Sequence, residues 1–341
     1  MAFINQGRHI GTVGFQPPET LGGTITYYGN YKIHTFTTSC LDFSLLGSKS
    51  VLASILLVAG GGGRVNDSGG GGGGMLEYDN FIMNPGKYYV CVGAGGNMVR
   101  GESSIIHVKG DVSTKMTGTI DGTAVTIGDA IGGGCHNSPS NYSAYPNPLA
   151  TQHGGSGGGG TGTGSYGGSN QTPGEGIDTL KFGWSSSNHF GTSGDRVGQG
   201  HDGSRYGNAG GMSVGGGGGG AGAVATGGSP VAGNPGEGGS HSGRGSNGGQ
   251  PKTNNYRTGT DFWYAGGGGG DGTNGNPTGP PGQGRSAWSG NGGGGDSGGP
   301  SSSNGLANTG GGGHGVGASG TTGGIGGSGI VVIRVPEPLI A

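Results

Sequence analysis

Apolar residues are spread unevenly along this 341-residue chain. Of its 54 Leu, Ile, Val and Phe, only 13 fall within 136–327, so a core must come from the rest. In the first 135 residues the apolar runs are short, rich in β-branched and aromatic side chains, and bounded by Gly, Pro, Asn or Asp, which is how strands read. "YYGNYKIHTFTT", "SVLASILLVAG", "KYYVCVGAG", "SSIIHVKG" and "GTAVTIG" all fit, with a turn at Asn84, Pro85 and Gly86. No long segment has the i, i+3, i+4, i+7 spacing of an amphipathic helix. The closing "GIVVIRV", with Ile330, Val331, Val332, Ile333 and Val335, predicts a last strand that completes a framework begun far upstream. The predicted fold class is all-β: a β-sandwich-like framework over 25–135, completed by 328–341, with essentially no α-helix.

Between these parts lies 136–327, where glycine tracts alternate with polar and aromatic inserts and no fixed period recurs. The chain has 98 glycines, several times the usual share. Composition alone argues for a disordered linker, since ordering a residue costs about 1–2 kcal/mol and a hydrogen bond returns only about 1. The alternative is a bundle of polyglycine II helices, extended and three residues per turn, whose outward N–H and C=O groups pair with neighbours that lack side chains. Such a bundle needs its ends held. The framework supplies that on both sides, after Ala59 and before Ile330, so the region reads as pinned loops and the bundle is the expected fold.

Net charge is −2 and 10% of residues are charged, which leaves no basic stripe for nucleic acid. No apolar run reaches the length of a membrane span, and no cationic region followed by an apolar one opens the chain, so membrane insertion and a Sec-type signal are not expected. The protein is expected to be made in the cytoplasm. Cys40, Cys91 and Cys135, odd in number and widely spaced, read as small buried residues rather than as a disulfide framework or metal site.

Chemistry is sparse. "LLVAGGGGRVN" and "GAGGNM" lack the third glycine of a dinucleotide fingerprint, and "GIGGSG" at 324–329 has it but precedes a strand instead of a helix. "GGGGGDGTN" has Thr273 where a calcium roll needs a large apolar residue, and the unit does not recur. The nine histidines include no H-x-x-x-H pair. No cofactor, metal or enzymatic activity is expected.

The inserts are more informative. They carry Tyr142, Tyr145, Trp184, His189, Phe190, Tyr206, Tyr256, Phe262, Trp263, Tyr264, Arg285 and Trp288 among Ser, Asn, Gly and Thr. Large rigid rings beside adaptable hydrogen-bonding groups are the composition of a paratope, suited to sugars or to protein loops. Trp184, Phe262 and Trp263 could equally cap the bundle or pack on the sheet. At the other end, Phe3, Ile4, Ile10, Val13 and Phe15 within 1–24 could dock on a partner, or belong to a frayed terminus.

In their order, "YKIHTFTTS" (31–39), "LLVAGGGG" (56–63), "PGKYYVCVGAGG" (85–96), "GESSII" (101–106), the repeated tracts and "GGSGIVVIRV" (326–335) resemble the glycine-rich domain of bacteriophage tail-fibre and adhesin proteins. That resemblance implies a β framework carrying a polyglycine II bundle whose tips contact host receptors. It departs from those adhesins in having only about 24 residues ahead of the framework, with no long fibre-binding domain. The expected function is host recognition on a phage virion, through a surface glycan or an outer-membrane protein, with 1–24 contacting other virion proteins. The alternative is a purely structural virion component, as fibre, tail or capsid decoration. Stoichiometry is left open between a single chain and a homotrimer.

Overall fold

The computed structural model describes residues 19–64, 68–135, 154–160, 176, 199–203, 207–209, 212–222, 247–270, 304–315 and 324–337. Among these the fold is all-β, and no helix occurs. One sheet has five strands in the order β1 (Thr20–Gly22), β4 (Leu41–Leu45), β7 (Gly86–Cys91), β8 (Ile105–Val108), β9 (Asp111–Lys115). The other has seven: β11 (Thr123–Thr126), β10 (Thr117–Ile120), β6 (Met75–Met83), β5 (Val51–Val58), β16 (Ile330–Pro336), β3 (Tyr31–Phe36), β2 (Thr24–Tyr28). Two short hairpins belong to neither sheet's hydrogen-bond ladder, β12 (Gly207–Ala209) with β13 (Met212–Val214) and β14 (Lys252–Asn254) with β15 (Phe262–Tyr264).

The closing strand lies at the heart of the larger sheet. β16 pairs antiparallel with β5 on one side and β3 on the other, Val332 facing Leu56 and Thr35. Its apolar run is continuous because both faces are covered. Val331, Ile333 and Val335 point into the sandwich, with Ile55 and Leu57 of the same sheet and Phe43, Leu45, Tyr88, Val90 and Ile106 of the other. Ile330 and Val332 point the opposite way, with Leu56, Val58 and Ile33, and are roofed by Tyr256 and Tyr264 from the β14–β15 hairpin. A strand buried on both faces shows no polar alternation.

β6 was not predicted. It is interrupted by Glu77, Asp79 and Asn80, and a bulge sets Ser54 of β5 against Asp79 and Asn80, with Asn80 at φ 54. The sequence reading of the cysteines needs correction. Leu41 pairs with Val90, so the residues just outside that pair meet across the strands, and Cys40 and Cys91 form a disulfide. Cys40 is exposed and Cys91 half-buried; Cys135 is buried and outside the disulfide.

The glycine tracts form a laterally bonded lattice. Ala59 and Gly62 donate to the carbonyls of Gly74 and Gly71, Gly60 and Gly63 to Glu102 and Val99, and Gly61 and Arg64 to Gly327 and Gly324. Each third residue therefore addresses the same neighbour. The tract 69–74 repeats the rule: Gly69 and Gly72 donate to Gly216 and Gly219, Gly70 and Gly73 to Gly313 and Gly310, Gly71 and Gly74 to Gly134 and Ile131. Its carbonyls accept from Gly159 and Ser156, from Gly268, and from Gly62 and Ala59. The tract thus touches six others, at 59–64, 131–135, 154–160, 215–220, 265–270 and 310–315. A repeat of three is what polyglycine II packing calls for. Side chains are excluded: a methyl group on Gly71 would overlap the carbonyl oxygen of Ser156, and one on Gly70 that of Gly62.

The lattice has a polarity set by the framework. Tract 59–64 leaves β5 and tract 69–74 returns to β6, so Ala59 and Gly74 mark the framework end and Arg64 and Gly69 the distal end. By their partners in these tracts, 154–160, 265–270 and 310–315 run outward to end distally at Gly160, Gly270 and Gly315, and 131–135 runs outward to Cys135. Tracts 247–250 and 324–329 enter at the distal end and run inward.

Candidate functional site

Four of the twelve candidate receptor-binding residues lie among the described residues, all in the 252–264 hairpin. Its register sets Lys252 opposite Tyr264, Thr253 opposite Trp263 and Asn254 opposite Phe262. Alternation places Phe262 and Tyr264 on one face and Trp263 with Thr253 on the other. The first face lies on the seven-stranded sheet. Tyr264 is wholly buried there and Phe262 packs beside it, with ring centroids 5.4 Å apart. Trp263 is half-buried.

The connecting turn brings Tyr256 onto the same sheet face. The Arg334 guanidinium of β16 sits 4.5 Å from the Tyr256 ring and 4.6 Å from the Tyr31 ring, a cation held between two aromatic rings. Arg334 also donates to the Ser54 hydroxyl at 3.1 Å. Glu77 anchors the hairpin by pairing with Lys252 and accepting from the Asn254 amide at 2.8 Å. Burial pushes the Tyr256 hydroxyl well above its ordinary range, helped by the carboxylates of Asp79 and Glu77. Burial likewise raises the Tyr264 hydroxyl. Neither phenol ionises near neutrality.

Tyr256 and Tyr264 are therefore not available to a receptor; both serve as the roof of the core. Phe262 is largely committed to the same role, which leaves Trp263, with the exposed Tyr28 beside the turn, as the aromatic surface of this hairpin. The ring of Tyr28 lies so close to Gly259 that any side chain there would overlap it. Arg257 stands 5.7 Å from the Phe262 ring.

The other candidates, Tyr142, Tyr145, Trp184, His189, Phe190, Tyr206, Arg285 and Trp288, lie outside the described residues, as do Phe3, Ile4, Ile10, Val13 and Phe15. Among the described residues no group of His, Cys, Asp and Glu could hold a metal. Sequence reasoning did not find the Tyr31–Arg334–Tyr256 stack. Its signal was the single Arg in the closing strand, a charge in a buried run that required a partner. Comparison with protein-family models, curated proteins and solved structures finds no match for this chain.

Proposed function

We propose that the chain is a phage virion protein, a tail-fibre or tail-tip adhesin that meets a host surface glycan or outer-membrane protein through loops carried on its glycine lattice. The supporting observation is the polarity of the lattice. The described tracts leave the lattice distally at Cys135, Gly160, Gly270 and Gly315, just before sequence inserts that include Tyr142, Tyr145, Arg285 and Trp288. A rigid slab with its framework at one end and the ends of four described tracts at the other suits display of a recognition surface. In this reading the protein is a non-enzymatic component of the virion, made in the host cytoplasm.

A second reading, a structural virion component without receptor contact, draws on the burial of Tyr256 and Tyr264, because in that insert the aromatic rings stabilise the fold. Adsorption separates the two. Phage carrying Tyr142→Ser, Tyr145→Ser and Trp288→Ser together should assemble normally and lose host adsorption. Normal particles that adsorb as before would favour the structural reading.

A further inference from the structure

β2 forms one margin of the seven-stranded sheet and, among the described residues, pairs only with β3. Their connection is the two-residue turn Gly29–Asn30 with Gly29 at φ 57, so Tyr28 and Tyr31 close the hairpin as a hydrogen-bonded pair. Alternation then directs the main-chain groups of Thr24 and Thr26 toward β3, and the N–H and C=O of Ile25 and Tyr27 toward the open side. Four main-chain groups line that margin.

Nothing guards it. All five residues of β2 are exposed, and "TITYY" contains no charge, no proline and no bulge, the devices by which edges avoid pairing. The other margins differ. β9 carries Asp111 and Lys115 beside a bulge at His107 and Val108, and β1 has only three residues. β11 is shorter, and the chain turns inward after it at Ile127, whose amide bonds Met116.

We propose that β2 joins two copies of this chain edge to edge, merging their seven-stranded sheets about a two-fold axis through Thr26. The order of groups is self-complementary. With the strands antiparallel and Thr26 opposite its counterpart, the N–H of Ile25 bonds the C=O of Tyr27 in the second copy, and the N–H of that Tyr27 bonds the C=O of Ile25. The two-fold repeats both bonds. Ile25 packs against Tyr27 of the other copy on one face, and the two Thr26 hydroxyls meet on the other. No like charges are opposed. With no charge on either strand and Ile25 set on Tyr27 about the central Thr26, this self-complementary pairing favours a second copy over a foreign strand, and a two-fold pair over the trimer left open by the sequence.

The test uses the full chain in sedimentation equilibrium and a cysteine variant that reports register. Wild type should sediment at twice the chain mass at micromolar concentration. Tyr27→Pro removes an outward N–H that β3 does not use, and should raise the dissociation constant at least tenfold. Val112→Lys, on the β9 margin, should leave the dimer intact. Thr26→Cys should cross-link two chains under mild oxidation, since a non-hydrogen-bonded antiparallel pair brings the two Cα atoms to about 4.5 Å; Val112→Cys should not. Unchanged circular dichroism and melting of each variant establish that folding is preserved. A wild type that sediments as one chain or as three would overturn the proposal, as would a dimer that Tyr27→Pro leaves intact.

Discussion

Gly62 donates its amide hydrogen to the carbonyl oxygen of Gly71 at 2.8 Å, and Ala59, three residues earlier, donates to Gly74, three residues later, at 3.0 Å. Two backbones bonded at every third residue must approach without side chains between them. The abundance of glycine is thus a steric requirement at the contacts, and flexibility in the unfolded chain is its cost. The framework offsets that cost by fixing Ala59, Gly74 and Gly329 as continuations of β5, β6 and β16.

Gly71→Ala should be far more damaging than alanine at an open position. The added methyl overlaps the Ser156 carbonyl, and relief requires two tracts to part and lose hydrogen bonds, a cost of about 3 kcal/mol or more. Gly47→Ala meets no atom and bears only the strain of φ 95, about 1 kcal/mol. Urea unfolding of the two variants gives the comparison, and equal losses would mean that the tracts are not in contact.

The hairpin separates two neighbouring aromatics. Tyr264→Ala removes a fully buried ring and should cost about 3–5 kcal/mol, whereas Trp263→Ser should cost less than half as much. Chemical denaturation checks both. A virion variant that replaced all of 262–264 with serine would lose the fold of the hairpin together with any binding by Trp263, so its adsorption defect could not be assigned to binding.

The Cys40–Cys91 bond closes 51 residues of chain between β4 and β7. Cys40→Ser with Cys91→Ser should lower stability by about 2–4 kcal/mol. Mass spectrometry after alkylation of native protein should show no modification, because Cys135, the cysteine outside the disulfide, is buried and its pKa is pushed up to about 12. Rapid native alkylation at Cys40 would show that the bond is not formed.

His34 should make stability depend on pH. Its ring is buried, with Nδ1 2.7 Å from the Gly22 carbonyl and Nε2 2.8 Å from the Thr20 hydroxyl, and burial lowers its pKa below 6.5, with a smaller contribution from Lys32. The unfolded chain therefore takes up a proton near pH 6.5 that the folded chain refuses. Stability should be flat above that pH and fall as pH drops below it, until the folded state titrates. In His34→Gln the fall should shrink, as read from melting temperature between pH 7.5 and pH 5 on the order of one-unit steps. An identical pH profile in both proteins would remove His34 as the cause.

Much of the framework was legible because its strands carry β-branched and aromatic runs: β3, β5, β8 and β11 lie within the segments read as strands, and β7 and β16 overrun theirs by one residue each, Gly86 and Pro336. β6 was not, since Glu77 and Asp79 face the hairpin's Lys252 and Tyr256, partners more than 170 residues away that no local window contains. The disulfide was hidden for a similar reason. It follows from the register of β4 on β7, and "LDFSL" was not recognised as a strand. Tyr256 and Tyr264 show the limit of composition as a guide to sites, because a ring among Ser, Asn and Thr looks the same in sequence whether its hairpin faces solvent or roofs a sheet.

Glycine backbones bond sideways into a rigid lattice around 69–74. Native-state hydrogen exchange of those amides is the decisive measurement, since Gly69 through Gly74 each donate to a carbonyl of another tract at 2.7–2.9 Å. The lattice predicts that they exchange as slowly as the amides of β5 and β16, through global unfolding alone. Exchange at the rate of an unstructured glycine peptide, with β5 and β16 still protected, would contradict it.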